Sequence, residues 1–89
     1  MHVSSGAEAK LKQAGEILAS IVGDTSVPRN IRRVANEARE TLLEENKEPS
    51  VRAAFAASML DEVSNDPNMP MHTRTTIWNV LSILETIRE

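Results

Sequence analysis

Three proline-containing breaks interrupt this chain of 89 residues, and they constrain its fold more than any other feature. The breaks lie at residues 23–28, 45–49 and 65–70. Proline lacks the backbone N–H and clashes with the preceding helical turn, so a regular helix does not continue through such a segment. The four stretches between the breaks are about 15–20 residues long, which is a normal length for a helix in a globular protein.

The apolar residues of the first, second and fourth stretches recur at steps of three and four. These steps place side chains on one face of a helix, whereas a strand repeats every two residues. The apolar residues are Leu11, Ala14, Leu18 and Ile21 in the first stretch, Ile31, Val34, Ala35, Ala38 and Leu42 in the second, and Ile77, Val80, Leu81, Leu84 and Ile87 in the fourth. The sequence therefore predicts an all-α fold with four helices and no sheet.

The third stretch, roughly residues 49–64, is rich in alanine and apolar on almost every side. A helix without a polar face is usually buried or contacted from two sides. We therefore expect this helix to be the central one.

The chain contains a similar unit twice, with an offset of 42 residues. An aspartate, a proline and an arginine recur, first as Asp24, Pro28 and Arg32 and then as Asp66, Pro70 and Arg74. The same offset pairs Gly23 with Asn65, and both residue types suit a left-handed helix cap. Each arginine is placed to fold back onto the aspartate of its own loop. Because a solenoid needs about three repeats, we predict an antiparallel four-helix bundle built from two similar hairpins. A two-unit HEAT-like stack is the alternative.

Composition excludes several kinds of chemistry. The chain has no cysteine, which excludes disulfides, thiolate metal sites and cysteine nucleophiles. His2 and His72 are its only histidines, so a histidine-rich metal centre is not expected. Because no nucleophile stands beside a base in a known arrangement, we predict no catalytic residue, no metal and no cofactor.

The length fits one helical domain, residues 1–89, with residues 1–6 expected to fray. No run of about 18 apolar residues is present, as a membrane span would require. Residues 1–12 lack the apolar core of a signal peptide. These features favour a cytoplasmic location. Association with a second copy would help so small a chain, although the sequence does not require it.

Arginines cluster on the second predicted helix, at Arg29, Arg32, Arg33 and Arg39. Glutamates share this helix, and Glu37 follows Arg33 at the i,i+4 spacing of an ion pair. The formal net charge of −3 disfavours a nucleic-acid partner. We therefore favour a solvated ion-paired face. Association with RNA or the ribosome, through these arginines and Arg74, is the alternative function.

Two hairpins in register would bring their loops together at one end of the molecule. The leading hypothesis is a non-catalytic interaction or scaffold module that uses this end. The candidate binding residues are Asp24, Asn30, Arg32, Arg33, Asp66, His72 and Arg74. A second candidate surface, for a protein partner or a second copy, comprises Met69, Met71 and Trp78. Alternatively, these three side chains cap one end of the core.

Two segments, DTSVPRNIRR at residues 24–33 and SNDPNMPMHTRT at residues 64–75, resemble the signature of a small uncharacterised archaeal protein family. The segment Val51-Arg52-Ala53-Ala54 fits as well, and the resemblance extends from about residue 17 to residue 84. It implies an archaeal, cytoplasmic protein with four helices. Since the family carries no assigned activity, cofactor or catalytic residue, the resemblance transfers no functional site.

Overall fold

The structure, a computed structural model, describes residues 3–87 and contains four helices in that range. They are α1 (Val3–Val22), α2 (Arg29–Leu42), α3 (Pro49–Val63) and α4 (Met71–Leu84). No strand occurs among the described residues, so the all-α prediction is confirmed. The expected fraying of residues 1–6 falls partly outside the described residues, since residues 1 and 2 are not among them. None of the described helices is both long and apolar enough to cross a lipid bilayer.

The four helices close into a bundle. Both α1 and α3 pack against α2 and α4, and α1 also touches α3 across the middle. Within residues 3–87, α2 and α4 make no contact. A HEAT-like stack would place α2 beside α4 and leave α1 away from α4. The contacts therefore favour the predicted four-helix bundle over the alternative.

The core is made of small and aliphatic side chains that lie on the predicted stripes. Among its largest members, Leu18, Ile31, Leu60 and Ile77 are fully buried. The chain contains one phenylalanine and one tryptophan, and neither belongs to this core. Phe55 is 52% exposed and Trp78 is 53% exposed.

The helix α3 is not central, contrary to the prediction from its composition. One side of α3, with Ala53, Ala56 and Leu60, is buried in the core. On the solvent side, Val51 and Phe55 are exposed. The Cα trace is only 18 by 16 Å in cross-section, so each of the four helices has a side in water. Apolar composition alone does not show which apolar side chains are buried.

Candidate functional site

The three connections between helices share one backbone geometry. We call them the first corner (residues 23–28), the second corner (43–48) and the third corner (64–70). In each corner the carbonyl of an acidic residue accepts the N–H of the residue three positions later. The donor–acceptor distances are 3.1 Å for Val27 to Asp24, 3.2 Å for Lys47 to Glu44 and 3.2 Å for Met69 to Asp66. The structural repeat is therefore one helix with its corner, about half of the 42-residue sequence repeat.

An arginine in the helix after each corner donates to the corner's own carbonyl oxygens. Nε of Arg32 donates to the carbonyl of Val27 at 3.0 Å, and Arg74 donates to the carbonyls of Ser64 and Asp66. Both arginines therefore fold back onto their own corners, Arg74 onto the backbone of its own loop aspartate, but neither bonds the carboxylate of that aspartate. Both arginines are half-buried and satisfy acceptors of the backbone.

The loop aspartates bond other donors instead. Oδ1 of Asp24 accepts the backbone N–H of Ser26 at 2.9 Å and its hydroxyl at 2.7 Å. Oδ1 of Asp66 accepts the backbone N–H of Asn68 at 2.8 Å. Such short-range bonds from an aspartate to the backbone two residues later stabilise tight turns. Local donors therefore occupy one oxygen of each carboxylate.

The expected left-handed caps at Gly23 and Asn65 are absent, because no described residue has a positive φ. The N–H of Gly23 donates to the carbonyl of Ala19 at 3.1 Å, which completes the last turn of α1. The N–H of Asn65 donates to the carbonyl of Glu62 at 3.3 Å after α3. Both helices end in tightened right-handed turns, so neither corner requires a glycine or an asparagine for its conformation.

The first and third corners meet at one end of the bundle and bond each other reciprocally. Oδ2 of Asp24 lies 3.0 Å from Nε2 of His72. Oδ2 of Asp66 accepts a hydrogen bond of 2.8 Å from Nδ2 of Asn30. Asn30 and His72 each lie two residues after the proline of their own hairpin. We call these four residues the corner clamp, because each hairpin donates to the aspartate of the other.

The hydrogen bonds hold both aspartates in the ionised state. The pKa of Asp24 is lowered to about 2, first by the hydroxyl of Ser26 and then by His72. The pKa of Asp66 is lowered by the backbone N–H of Asn68 and, to a lesser extent, by Asn30. The clamp therefore carries two carboxylates at neutral pH, and both are engaged within the protein.

The predicted ion pairs on α2 do not form. Arg33 is exposed, and no ion pair joins it to Glu37. Arg39 instead donates to the side chain of Asn36 at 3.0 Å. Because Arg32 and Arg74 are engaged in corners, the arginine surface considered for RNA loses two of its members. Among the candidate binding residues, Arg33 belongs neither to the corner clamp nor to the arginines that bond corner carbonyls.

The structure separates the three residues of the predicted apolar patch. Met69 is 6% exposed and belongs to the core, so its assignment to a binding patch is wrong. It occupies the third-corner position that Val27, also buried, occupies in the first corner. Both side chains fill the clamp end of the core. Met71 and Trp78 are exposed by 71% and 53%, respectively, and their spacing of seven residues places them on one face of α4.

Arg52, whose role was not predicted from the sequence, is 2% exposed and seals the second corner. Its Nε donates to the carbonyl of Lys47 at 2.9 Å, and its Nη1 donates to the carbonyl of Leu42 at 3.0 Å. Its Nη2 lies 2.6 Å from Oε2 of Glu8 on α1. Arg52 lies 20 residues after Arg32 and 22 residues before Arg74, a spacing of one helix with its corner that the 42-residue offset does not contain.

The hydroxyl of Ser26 and the carboxylates of the clamp are bonded within the protein. Ser26 donates its hydroxyl to Asp24, whereas a nucleophilic serine would donate to a histidine. Four grooves on the described surface are lined by none of the clamp residues. Within residues 3–87, no group of three metal-ligating side chains comes together. The arrangement therefore holds two hairpins together.

The fold and the clamp define a class of small all-helical proteins in which two helix–corner–helix units form one bundle. The chain belongs to an uncharacterised protein family, UPF0147, whose family model matches residues 1–87. This match confirms the resemblance that the two loop segments indicated. The function of the family is unknown.

The relatives are archaeal proteins of similar length. A UPF0147 protein of Metallosphaera sedula is 60% identical over 82 residues, which cover 92% of each chain. A UPF0147 protein of Methanocaldococcus jannaschii is 54% identical over 88% of this chain and 84% of its own.

Solved structures share the fold. The crystal structure of MMP1188, a protein of unknown function, has a TM-score of 0.87 and 52% identity, covering 90% of this chain and 91% of that chain. The crystal structure of a UPF0147 protein from Thermoplasma acidophilum has a TM-score of 0.84 and 34% identity, covering 99% of this chain and 100% of that chain. These similarities support the four-helix architecture.

Proposed function

We propose that this protein is a non-catalytic module that binds another protein through its exposed apolar side chains. The observation that carries the proposal is the position of the chain's only two aromatic residues, Phe55 and Trp78, which are both more than half exposed. Aromatic side chains supply much of the binding energy at protein interfaces. Here the core is filled without them, so folding does not account for their presence.

The corner clamp supports a scaffold role. It fixes the first corner to the third, so that both hairpins act as one rigid body. A rigid surface loses less conformational entropy when it binds a partner than a flexible surface does. Met71 lies beside His72 at this end and is 71% exposed. The clamp end thus remains a second candidate binding surface, and the cytoplasmic location also remains a prediction.

Site-specific photo-cross-linking tests the proposal. A photoreactive phenylalanine analogue replaces Phe55 or Trp78 in the full chain, which is then irradiated in extract from an archaeon that carries a family member. Gln13 and Ser82, both exposed and polar, provide matched control positions on α1 and α4. Mass spectrometry identifies the cross-linked peptides.

We expect one partner segment to be captured reproducibly from position 55 or 78 and not from positions 13 and 82. Equal capture from all four positions, or capture from none, would contradict the proposal. A third arm places the analogue at Met71. Capture from position 71 alone would assign binding to the clamp end.

A further inference from the structure

An apolar stripe runs along α3 outside the core. Val51, Phe55, Met59 and Val63 follow one another at steps of four. Val51 and Phe55 are exposed, whereas Met59 and Val63 are half-buried against the core. Twelve residues of helix span about 18 Å. We call these four residues the α3 stripe.

The end of the α3 stripe nearest the clamp forms one side of a groove between α2 and α3. Met59 and Val63 face Val34 of α2 across this groove, and Glu37 and Glu62 complete its lining. Both glutamates are exposed, and neither side chain forms a hydrogen bond or an ion pair with the described residues. The groove therefore combines an apolar floor with two carboxylates that face water.

The chain segment that contains the groove and the α3 stripe is acidic. Residues 34–63 contain seven acidic and three basic residues, a net charge of −4, whereas the whole chain carries −3. The acidic residues are Glu37, Glu40, Glu44, Glu45, Glu48, Asp61 and Glu62. Of the three basic residues, Arg52 is buried and Arg39 is half-buried, which leaves Lys47 exposed. Arg33, one turn before Glu37, is exposed and bonds to none of these acids.

We propose that the α3 stripe and its groove bind a basic amphipathic helix of a partner protein. This inference rests on the proposed function and names the partner's chemistry. Apolar side chains at helical spacing would contact Phe55 and Met59. Lysine and arginine residues beside them would face Glu37, Glu62 and the second corner. Helices that present anchors at steps of three, four and seven residues commonly dock in apolar grooves of this kind.

The charge pattern selects this partner over two others. A second copy of this chain would place one acidic surface against another, and like charges across an interface oppose association. A nucleic acid would bring phosphates to the same carboxylates. A basic helix meets both requirements of the surface, because it supplies apolar contacts and opposite charge.

The test titrates the ¹⁵N-labelled full chain with a synthetic helical peptide of 18 residues. The peptide has leucines on one face and lysines and arginines on the other. A matched peptide replaces every basic residue with glutamate. Amide chemical shifts locate the binding surface, and the titration is repeated at higher salt.

We expect shifts concentrated on α3 and on the facing side of α2. We expect the acidic peptide to bind at least about tenfold more weakly, and added salt to weaken the basic peptide. The Phe55→Ala variant should bind about tenfold more weakly. The Glu37→Gln, Glu62→Gln double variant should lose much of the salt dependence. Ser82→Ala, at an exposed position of α4 outside the proposed binding surfaces, should leave binding unchanged.

Three results would overturn the inference: no binding of the basic peptide at millimolar concentration, shifts confined to α4 or the clamp end, or equal affinity for the acidic peptide. A folded ¹⁵N spectrum of each variant excludes unfolding as the cause. If the basic peptide does not bind while cross-linking from position 55 or 78 captures a partner segment, the proposed partner chemistry is wrong and the proposed interaction function stands. If cross-linking fails as well, both proposals are wrong.

Discussion

Nε2 of His72 lies 3.0 Å from Oδ2 of Asp24, although 48 residues separate them in the sequence. The equivalent bond, from Asn30 to Asp66, joins residues 36 positions apart. Each bond links the start of one hairpin's second helix to the corner of the other hairpin. The two hairpins are therefore held in register by polar groups at this end, in addition to the apolar contacts of the core.

The clamp makes the stability of the protein depend on pH in the acid range. The pKa of Asp24 is about 2 in the folded chain, below its ordinary value of 3.8. The folded state therefore binds a proton at the carboxylate of Asp24 less tightly than the unfolded state does. As a result, the contribution of Asp24 to the free energy of unfolding is complete above pH 3.8 and is lost as the pH falls toward 2. We expect the thermal unfolding midpoint to fall over this range, with Asp66 acting in the same direction.

The measurement compares thermal unfolding of the wild type and of Asp24→Asn between pH 5 and pH 2. The variant removes the ionised group, so its midpoint should fall less steeply in acid. Asp61→Asn is the matched control, since Asp61 is exposed and its carboxylate bonds none of the clamp residues. Equal slopes for the wild type and Asp24→Asn would contradict this account.

The helices and most of the core were predictable from the sequence because both depend on local patterns. Proline breaks and apolar steps predicted a helix between the breaks at residues 23–28 and 45–49, and the structure places α2 at Arg29–Leu42. The predicted stripe residues Ile31, Ala35 and Leu42 are all buried. Sequence spacing is enough here because the helical period determines which residues share a face.

The corners and α3 were less predictable because they depend on the path of the backbone in three dimensions. Arg32 and Arg74 were correctly associated with their corners, but their acceptors are carbonyls whose positions follow from the folded turn. The apolar composition of α3 indicated burial, yet it does not distinguish Ala56 in the core from Phe55 in water. The reciprocal bonds of the clamp require the register of two hairpins, which no local pattern encodes.

Gly15 lies buried in α1, where it faces Arg39 of α2. A Cβ at this position would lie 3.8 Å from Cγ of Arg39, an ordinary contact distance. Glycine within a helix costs about 0.5–1 kcal/mol relative to alanine. We expect Gly15→Ala to raise the free energy of unfolding by about that amount in urea denaturation. Ala19→Gly, at an exposed position of the same helix, should lower it, and a loss of stability in Gly15→Ala would contradict the expectation.

Thr73 carries an unpaired hydroxyl in the core. The residue is 1% exposed, and Oγ1 has no hydrogen-bond partner. The equivalent residue of the first hairpin is Ile31, which is fully buried. Thr73→Val preserves the shape and removes the unsatisfied group, so we expect a gain of about 1 kcal/mol in the free energy of unfolding. Thr73→Ser keeps the hydroxyl and removes a methyl group, and should cost about 1 kcal/mol. A loss of stability in Thr73→Val would show that the hydroxyl has a partner.

Arg52 is the clearest test of whether the arginines stabilise the bundle through carbonyls or through ion pairs. Its guanidinium is buried and bonds the carbonyls of Leu42 and Lys47, while its partner Glu8 has a side chain that is 49% exposed. Water can solvate Glu8 if the ion pair is broken, whereas the buried carbonyl of Leu42 would lose a charged donor that water does not readily replace.

Arg52→Met keeps much of the apolar stem and removes the donors, so we expect it to lower the free energy of unfolding by about 3 kcal/mol. Glu8→Gln removes only the charge of the exposed partner and should cost less than about 1 kcal/mol. Guanidinium denaturation of both variants measures the two losses in the free energy of unfolding. The comparison uses variants in which this free energy falls with denaturant concentration at the same slope. Equal losses in the two variants would mean that the ion pair to α1, and not the sealing of the second corner, is the stabilising interaction.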